Sequence, residues 1–152
     1  MLGYAVRLGL FVCVLVVLVG CNTLSRVPQL LDAQITPTRL VPGDTAVITV
    51  RTEDVHGIIR RIEGVVKVDP PLPLVLKDDG ISIVDGDEAD AVAGDGIWSI
   101  RVDVSFQTPP GTFLLEFTAY DEDGVAIQVR DGQGHAVPLQ TTLPIEIHYP
   151  EQ

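Results

Sequence analysis

From Ala46 onward the chain alternates apolar and polar positions in short runs, and the runs are cut by Gly, Pro and Asp. Strict alternation over four to eight residues is the pattern of a half-buried β-strand, since successive side chains point to opposite faces of a sheet. In Ile48–Arg51, Ile48 and Val50 face one way with Ala46, and Thr49 and Arg51 face the other. The longest run is IWSIRVDVSF, in which Trp98, Ile100, Val102, Val104 and Phe106 share the face opposite Ser99, Arg101 and Asp103. TFLLEFTAY repeats the pattern with Phe113, Leu115, Phe117 and Ala119 inward, and LPIEIHY does so with Leu143, Ile145, Ile147 and Tyr149. Shorter strands are expected in AQITPTR, in IIRRIEGVVKV from Ile58, in PLVLK around Leu74 to Leu76, and in VAIQV from Val125.

Turn formers separate these runs: Val41-Pro42-Gly43-Asp44, Asp78-Asp79-Gly80, Pro109-Pro110-Gly111 and Asp121-Glu122-Asp123-Gly124. Pro presets φ, Gly supplies positive φ, and Asp bonds its own downstream amides. About seven or eight short strands with turns between them predict an all-β fold, a single antiparallel two-sheet sandwich of immunoglobulin type. A small barrel is the alternative. Neither a tandem repeat nor a low-complexity tract occurs.

The first 32 residues break the pattern. Leu8 to Gly20 runs LGLFVCVLVVLVG without a charge, preceded by Arg7. That length suits a signal-peptide core and falls short of the roughly 20 residues a spanning helix needs. Its end, Leu18-Val19-Gly20-Cys21, resembles the bacterial lipobox. The resemblance implies cleavage before Cys21, lipidation of Cys21, and a mature protein held at a membrane by acyl chains, each buried CH₂ contributing about 0.8 kcal/mol. Asn22 in place of Asp favours the outer membrane where the source has two membranes. The resulting division is 1–20 signal peptide, 21–32 lipidated cysteine and tether, and 33–150 β-sandwich. Cys13 leaves with the signal, so the mature domain has no disulfide and its stability must come from packing.

Charge narrows the partners. The net charge is -11, and removing residues 1–20 takes away Arg7 and no acid, which makes it -12. Affinity for a phosphate backbone comes from Lys and Arg displacing counterions, so nucleic acid is excluded as a partner.

Four stretches resemble a family of bacterial immunoglobulin-like or fibronectin-III-like modules: Thr36–Asp54, Leu76–Gly80, Gly86–Ser99 and Pro110–Gly124. Similar DDG, GD, GDGIY/W and GTY/F runs occur in the β-sandwich module that accompanies von Willebrand-type domains in the calcium-activated chloride-channel regulator family. ISIVDGDEAD is longer than the link usual in that family, and Phe113 stands where the family often has tyrosine. The resemblance implies binding, spacing or assembly rather than catalysis.

Candidate chemistry concentrates in one place. Seven acids lie between Lys77 and Arg101 with no base among them: Asp78, Asp79, Asp85, Asp87, Glu88, Asp90 and Asp95. Asp85, Asp87, Asp90 and Asp95 are the candidate ligands for a structural calcium, which takes six to eight oxygens. The spacing is not that of an EF-hand, because Asp90 occupies the position that needs glycine and Gly96 the one that needs glutamate. The competing reading makes Asp79-Gly80 and Asp95-Gly96 simple turns. Zinc lacks a donor set, with no free cysteine and His56, His135 and His148 scattered. Neither a G-x-S-x-G elbow, an H-E-x-x-H pair nor a phosphate-cradling glycine loop is present, so no catalytic residue is named. Trp98 is read as core.

The expectation is a membrane-anchored envelope lipoprotein, not an enzyme, with an immunoglobulin-like module for binding or assembly. Its partners would be the membrane, through lipid, and a protein or glycan of the envelope. The alternative is a structural accessory subunit of a larger envelope complex, and a hydrolytic enzyme comes third.

Overall fold

The computed structural model describes residues 27–80 and 92–149. Nine strands follow one another in this order: β1 Gln29–Thr36, β2 Thr45–Glu53, β3 Arg61–Val66, β4 Leu72–Leu76, β5 Ile97–Asp103, β6 Gly111–Tyr120, β7 Gln128–Arg130, β8 Ala136–Pro138 and β9 Gln140–Ile147. The fold is all-β, as the alternation predicts. One sheet has the order β1-β2-β5, the other β4-β3-β6-β9, and β7 and β8 form a separate hairpin. Every named pairing is antiparallel.

The registers show why the apolar alternation works. Ala46, Ile48 and Val50 stand opposite Val102, Ile100 and Trp98, so one face of the first sheet is apolar across both strands. In the second sheet Ile62 stands opposite both Leu76 and Ala119, and Leu115 is opposite both Val66 and Leu143. These faces meet in one core whose fully buried side chains include Phe117, Leu40, Ile48, Ile62, Leu76, Leu115 and Val50. Each such side chain contributes on the order of 1.5–3 kcal/mol by leaving water. Gly64 makes room for the largest of them, since a Cβ there would lie 2.8 Å from the Phe117 ring.

The two sides of the sandwich close differently. On the β1/β9 side, Leu40 from the β1–β2 connection is wholly buried, bridges Ile147 in parallel and accepts a 2.7 Å hydrogen bond from the His148 N–H. On the β4/β5 side the described residues hold a single bridge, Lys77 with Ser99. β4 and β5 are therefore both edge strands, tied together at one end only.

Several expectations need correction. β1 starts at Gln29, within the segment read as tether, because Leu30 and Ala33 pack on the core. Phe106 is 86% exposed: β5 ends at Asp103, and the chain turns at Ser105–Thr108, where the Thr108 N–H bonds the Ser105 carbonyl at 2.9 Å. Tyr149 lies past the end of β9 and is 76% exposed instead of inward. The VAIQV strand is reduced to a Tyr120–Ala126 bridge and the short β7, and its hairpin partner β8 was not foreseen.

Candidate functional site

The two ends of the sandwich have opposite characters. At the end where β2, β4 and β6 finish, the loops carry Asp54, Asp78, Asp79, Asp95, Asp121, Glu122 and Asp123. Asp78 organises this end. One of its oxygens accepts from the Gly94 N–H at 2.6 Å and the other from the Gly96 N–H at 3.1 Å. The Gly96 carbonyl in turn accepts from the Thr52 N–H at 2.8 Å and the Thr52 hydroxyl at 3.1 Å, which ties the loop to β2. Asp54 uses Oδ2 to accept from the Ile59 N–H at 2.7 Å, and its Oδ1 is buried without a hydrogen-bond partner among the described residues.

Of the four calcium candidates, Asp85, Asp87 and Asp90 lie outside the described residues. Asp95 is described, and its Oδ1 accepts from the Ile97 N–H at 2.8 Å, closing its own turn. Gly80 and Gly96 both take positive φ, +64° and +81°, which is the turn geometry of the competing reading. Among the described residues no three His, Cys, Asp or Glu side chains are grouped so as to hold a metal. A recess of about 530 Å³ lies beside this loop, lined by Thr52, Asp54, Arg60, Asp78, Asp95 and Trp98 among others. Trp98 is half-buried and packs against the core, so it is core and recess wall at once. Cys21 lies outside the described residues.

The opposite end is apolar. Between the diverging parts of β4 and β5 a cleft of about 680 Å³ opens, walled by Val66, Leu72, Leu74, Val102, Val104 and Phe113, with Ile48, Leu115 and Ile147 reaching its lining. Burial along β4 traces its shape. Leu76, next to the Lys77–Ser99 bridge, is 1% exposed; Leu74 is half-buried; Leu72 is 55% exposed. All three point to the same face, two residues apart, so the change is a widening between the sheets and not a change of face. β6 shows the same trend from Phe117 through Leu115 to half-buried Phe113. Among the described residues, the only charged ones in the cleft lining are two acids, Asp69 and Asp103. Alternation in sequence placed Val102, Val104 and Phe113 on apolar strand faces; it carried no signal that the sheets part over them.

No family model matches the chain, and no curated protein matches it. Among solved structures it is similar to Pseudomonas fluorescens alkylpurine DNA glycosylase AlkC bound to DNA containing an abasic site analog, at 11% identity and a TM-score of 0.45. The likeness covers 79% of this chain and 30% of the glycosylase chain, so this chain spans less than a third of that protein. The expectation of a membrane-anchored envelope lipoprotein with a binding or assembly module, or of an envelope-complex subunit, is corrected by this finding. The solved structure at this likeness is a DNA glycosylase and not an envelope lipoprotein. The physical reason is that a β-sandwich is one solution to burying two apolar sheet faces and serves unrelated functions, so sandwich motifs do not carry a role with them. At this level of similarity the glycosylase's activity does not pass to this chain either.

Proposed function

We propose that this domain binds an extended polypeptide segment, taking its alternate apolar side chains into the cleft between β4 and β5. The observation that carries the reading is the outward gradient along Leu76, Leu74 and Leu72, which leaves Leu72 exposed and Leu74, Val102 and Val104 half-buried beside two edge strands. An extended peptide meets both features: its alternate side chains reach one face, and its backbone can pair with a sheet edge. The cleft walls nearest β4 and β5 are largely apolar, with polar side chains, Asp69, Asp103, Ser105, Gln107 and Thr108, completing the lining.

The test uses the full-length protein and a fluorescein-labelled hexapeptide of alternating valine and threonine, with a serine-glycine hexapeptide as control. Saturable binding of the first and none of the second is expected. Leu72→Lys, at a position already 55% exposed, should weaken the interaction at least tenfold while leaving the melting temperature within about 2 °C. Unchanged affinity in Leu72→Lys would sink the reading.

A further inference from the structure

The geometry points to the orientation and charge of the bound segment: we infer that it pairs antiparallel with β5, its N-terminal end at the cleft mouth with a basic residue beside Asp69 and Asp103. This rests on the proposed polypeptide binding at the same cleft.

Which edge can act as template follows from backbone alternation. The N–H and C=O of Lys77 both point at Ser99, at 3.0 and 2.8 Å, so in β4 the residues in phase with Lys77 direct their backbone groups toward the cleft. Those residues are Val75 and Pro73. Pro73 has no N–H, so the β4 edge presents one donor and then a gap. Asp103 is in phase with Ser99 on β5 and directs both its N–H and its C=O to the same side. A strand added at β5 also extends a sheet of three strands to four, level with its neighbour.

Direction follows from the same bridge. β5 runs from Ser99 at the closed seam toward Asp103 at the mouth. A segment antiparallel to it therefore enters N-terminus at the mouth and runs toward the seam, its inward side chains descending on Leu74 and Val102. Antiparallel pairing is the slightly more stable arrangement per residue.

Charge fixes the end of the segment. Asp69 is exposed, and the Asp103 side chain, 79% exposed, accepts from the Thr45 hydroxyl at 2.7 Å and has the Arg101 guanidinium 4.0 Å away, a long and solvent-screened pair that leaves it open to a second cation. With these two acids the only charges among the described residues of the lining, a Lys or Arg at the mouth is favoured and an acid is repelled. The net charge of -11 adds long-range attraction for a basic segment.

Two acetylated and amidated hexapeptides decide the matter, Lys-Val-Thr-Val-Thr-Val and its reverse, titrated against the full-length protein and an Asp69→Asn/Asp103→Asn variant, in which each side chain keeps its shape and an acceptor oxygen. The lysine-first peptide should bind at least fivefold tighter than the reverse, and the double substitution should erase that preference. Hydrogen exchange should slow at the Asp103 amide and not at the Val75 amide. Equal affinities, a preference for the reverse peptide, or slowing at Val75 instead would overturn the orientation while leaving polypeptide binding intact. Binding by neither peptide would overturn both readings.

Discussion

Lys77 and Ser99 exchange both backbone hydrogen bonds, at 3.0 and 2.8 Å, and this pair is the one bridge between β4 and β5 among the described residues. Ser99 is 4% exposed, and its hydroxyl is buried without a partner among the described residues. The seam is thus made by the backbone of Ser99 and opposed by its side chain. Leaving a buried hydroxyl unsatisfied costs on the order of 1–3 kcal/mol. Ser99→Ala keeps the bridge and removes the orphan oxygen, so it should raise stability by about 1 kcal/mol in a urea titration. A loss of more than about 0.5 kcal/mol would show that the hydroxyl is bonded after all.

The widening along β4 makes a graded series. Leu76→Ala removes a wholly buried side chain and should cost about 2–5 kcal/mol, with a cavity left behind. Leu72→Ala acts where half the side chain already meets water and should cost less than about 1 kcal/mol. Leu74→Ala should fall between them. Equal losses at Leu72 and Leu76 would mean that the sheets close over the cleft in solution.

Asp78 holds two loop amides at once, those of Gly94 and Gly96. Hydrogen bonds to a carboxylate contribute roughly 1.5–3 kcal/mol each, less where water competes. Asp78→Ala should therefore cost about 1–3 kcal/mol and speed amide exchange at Gly94 and Gly96. Exchange at these two amides unchanged from wild type would remove Asp78 from its bracing role.

The β7–β8 hairpin supplies a pH dependence. The His135 backbone N–H, at 2.9 Å, and then that of Gln133, at 2.8 Å, hold the carboxyl of Asp131 below the ordinary aspartate value. A depressed folded pKa means that the unfolded chain binds the proton first. The contribution of Asp131 is then complete above the ordinary aspartate value and is lost as pH falls through the lower folded value. Amide protection at Gln133 and His135 should drop below about pH 4 and be insensitive to pH from 5 upward. In Asp131→Asn the drop should disappear.

The fold was readable because burial and alternation report the same thing: one buried face per strand. Phe113, Leu115, Phe117 and Ala119 were placed inward from sequence, and all four pack in the core. The pattern failed where the backbone stops being a strand. Val104 and Phe106 continue the alternation in letters, but the Ser105–Thr108 turn carries the Phe106 ring out over Gly43, where a Cβ would lie 2.3 Å from the ring. The cleft was unreadable for a different reason. Leu72, Leu74 and Leu76 are identical letters at identical spacing, and the separation of two sheets depends on how the edge strands diverge. At the acidic end, Asp-Gly pairs announced turns, whereas nothing local distinguished Asp78 as the residue that would reach Gly94 and Gly96 sixteen and eighteen positions away.

β1 begins at the acidic end, with Gln29 opposite Glu53, and Tyr149 leaves at the cleft end, just after His148 bonds Leu40. For anyone immobilising or labelling the protein, the two ends of the described domain, ahead of β1 and after Tyr149, are not equivalent handles. A fusion or surface linkage placed ahead of β1 keeps its bulk a full strand length from the cleft mouth. One appended after Tyr149 starts at the same end of the sandwich as the cleft, two residues past Ile147 of its lining.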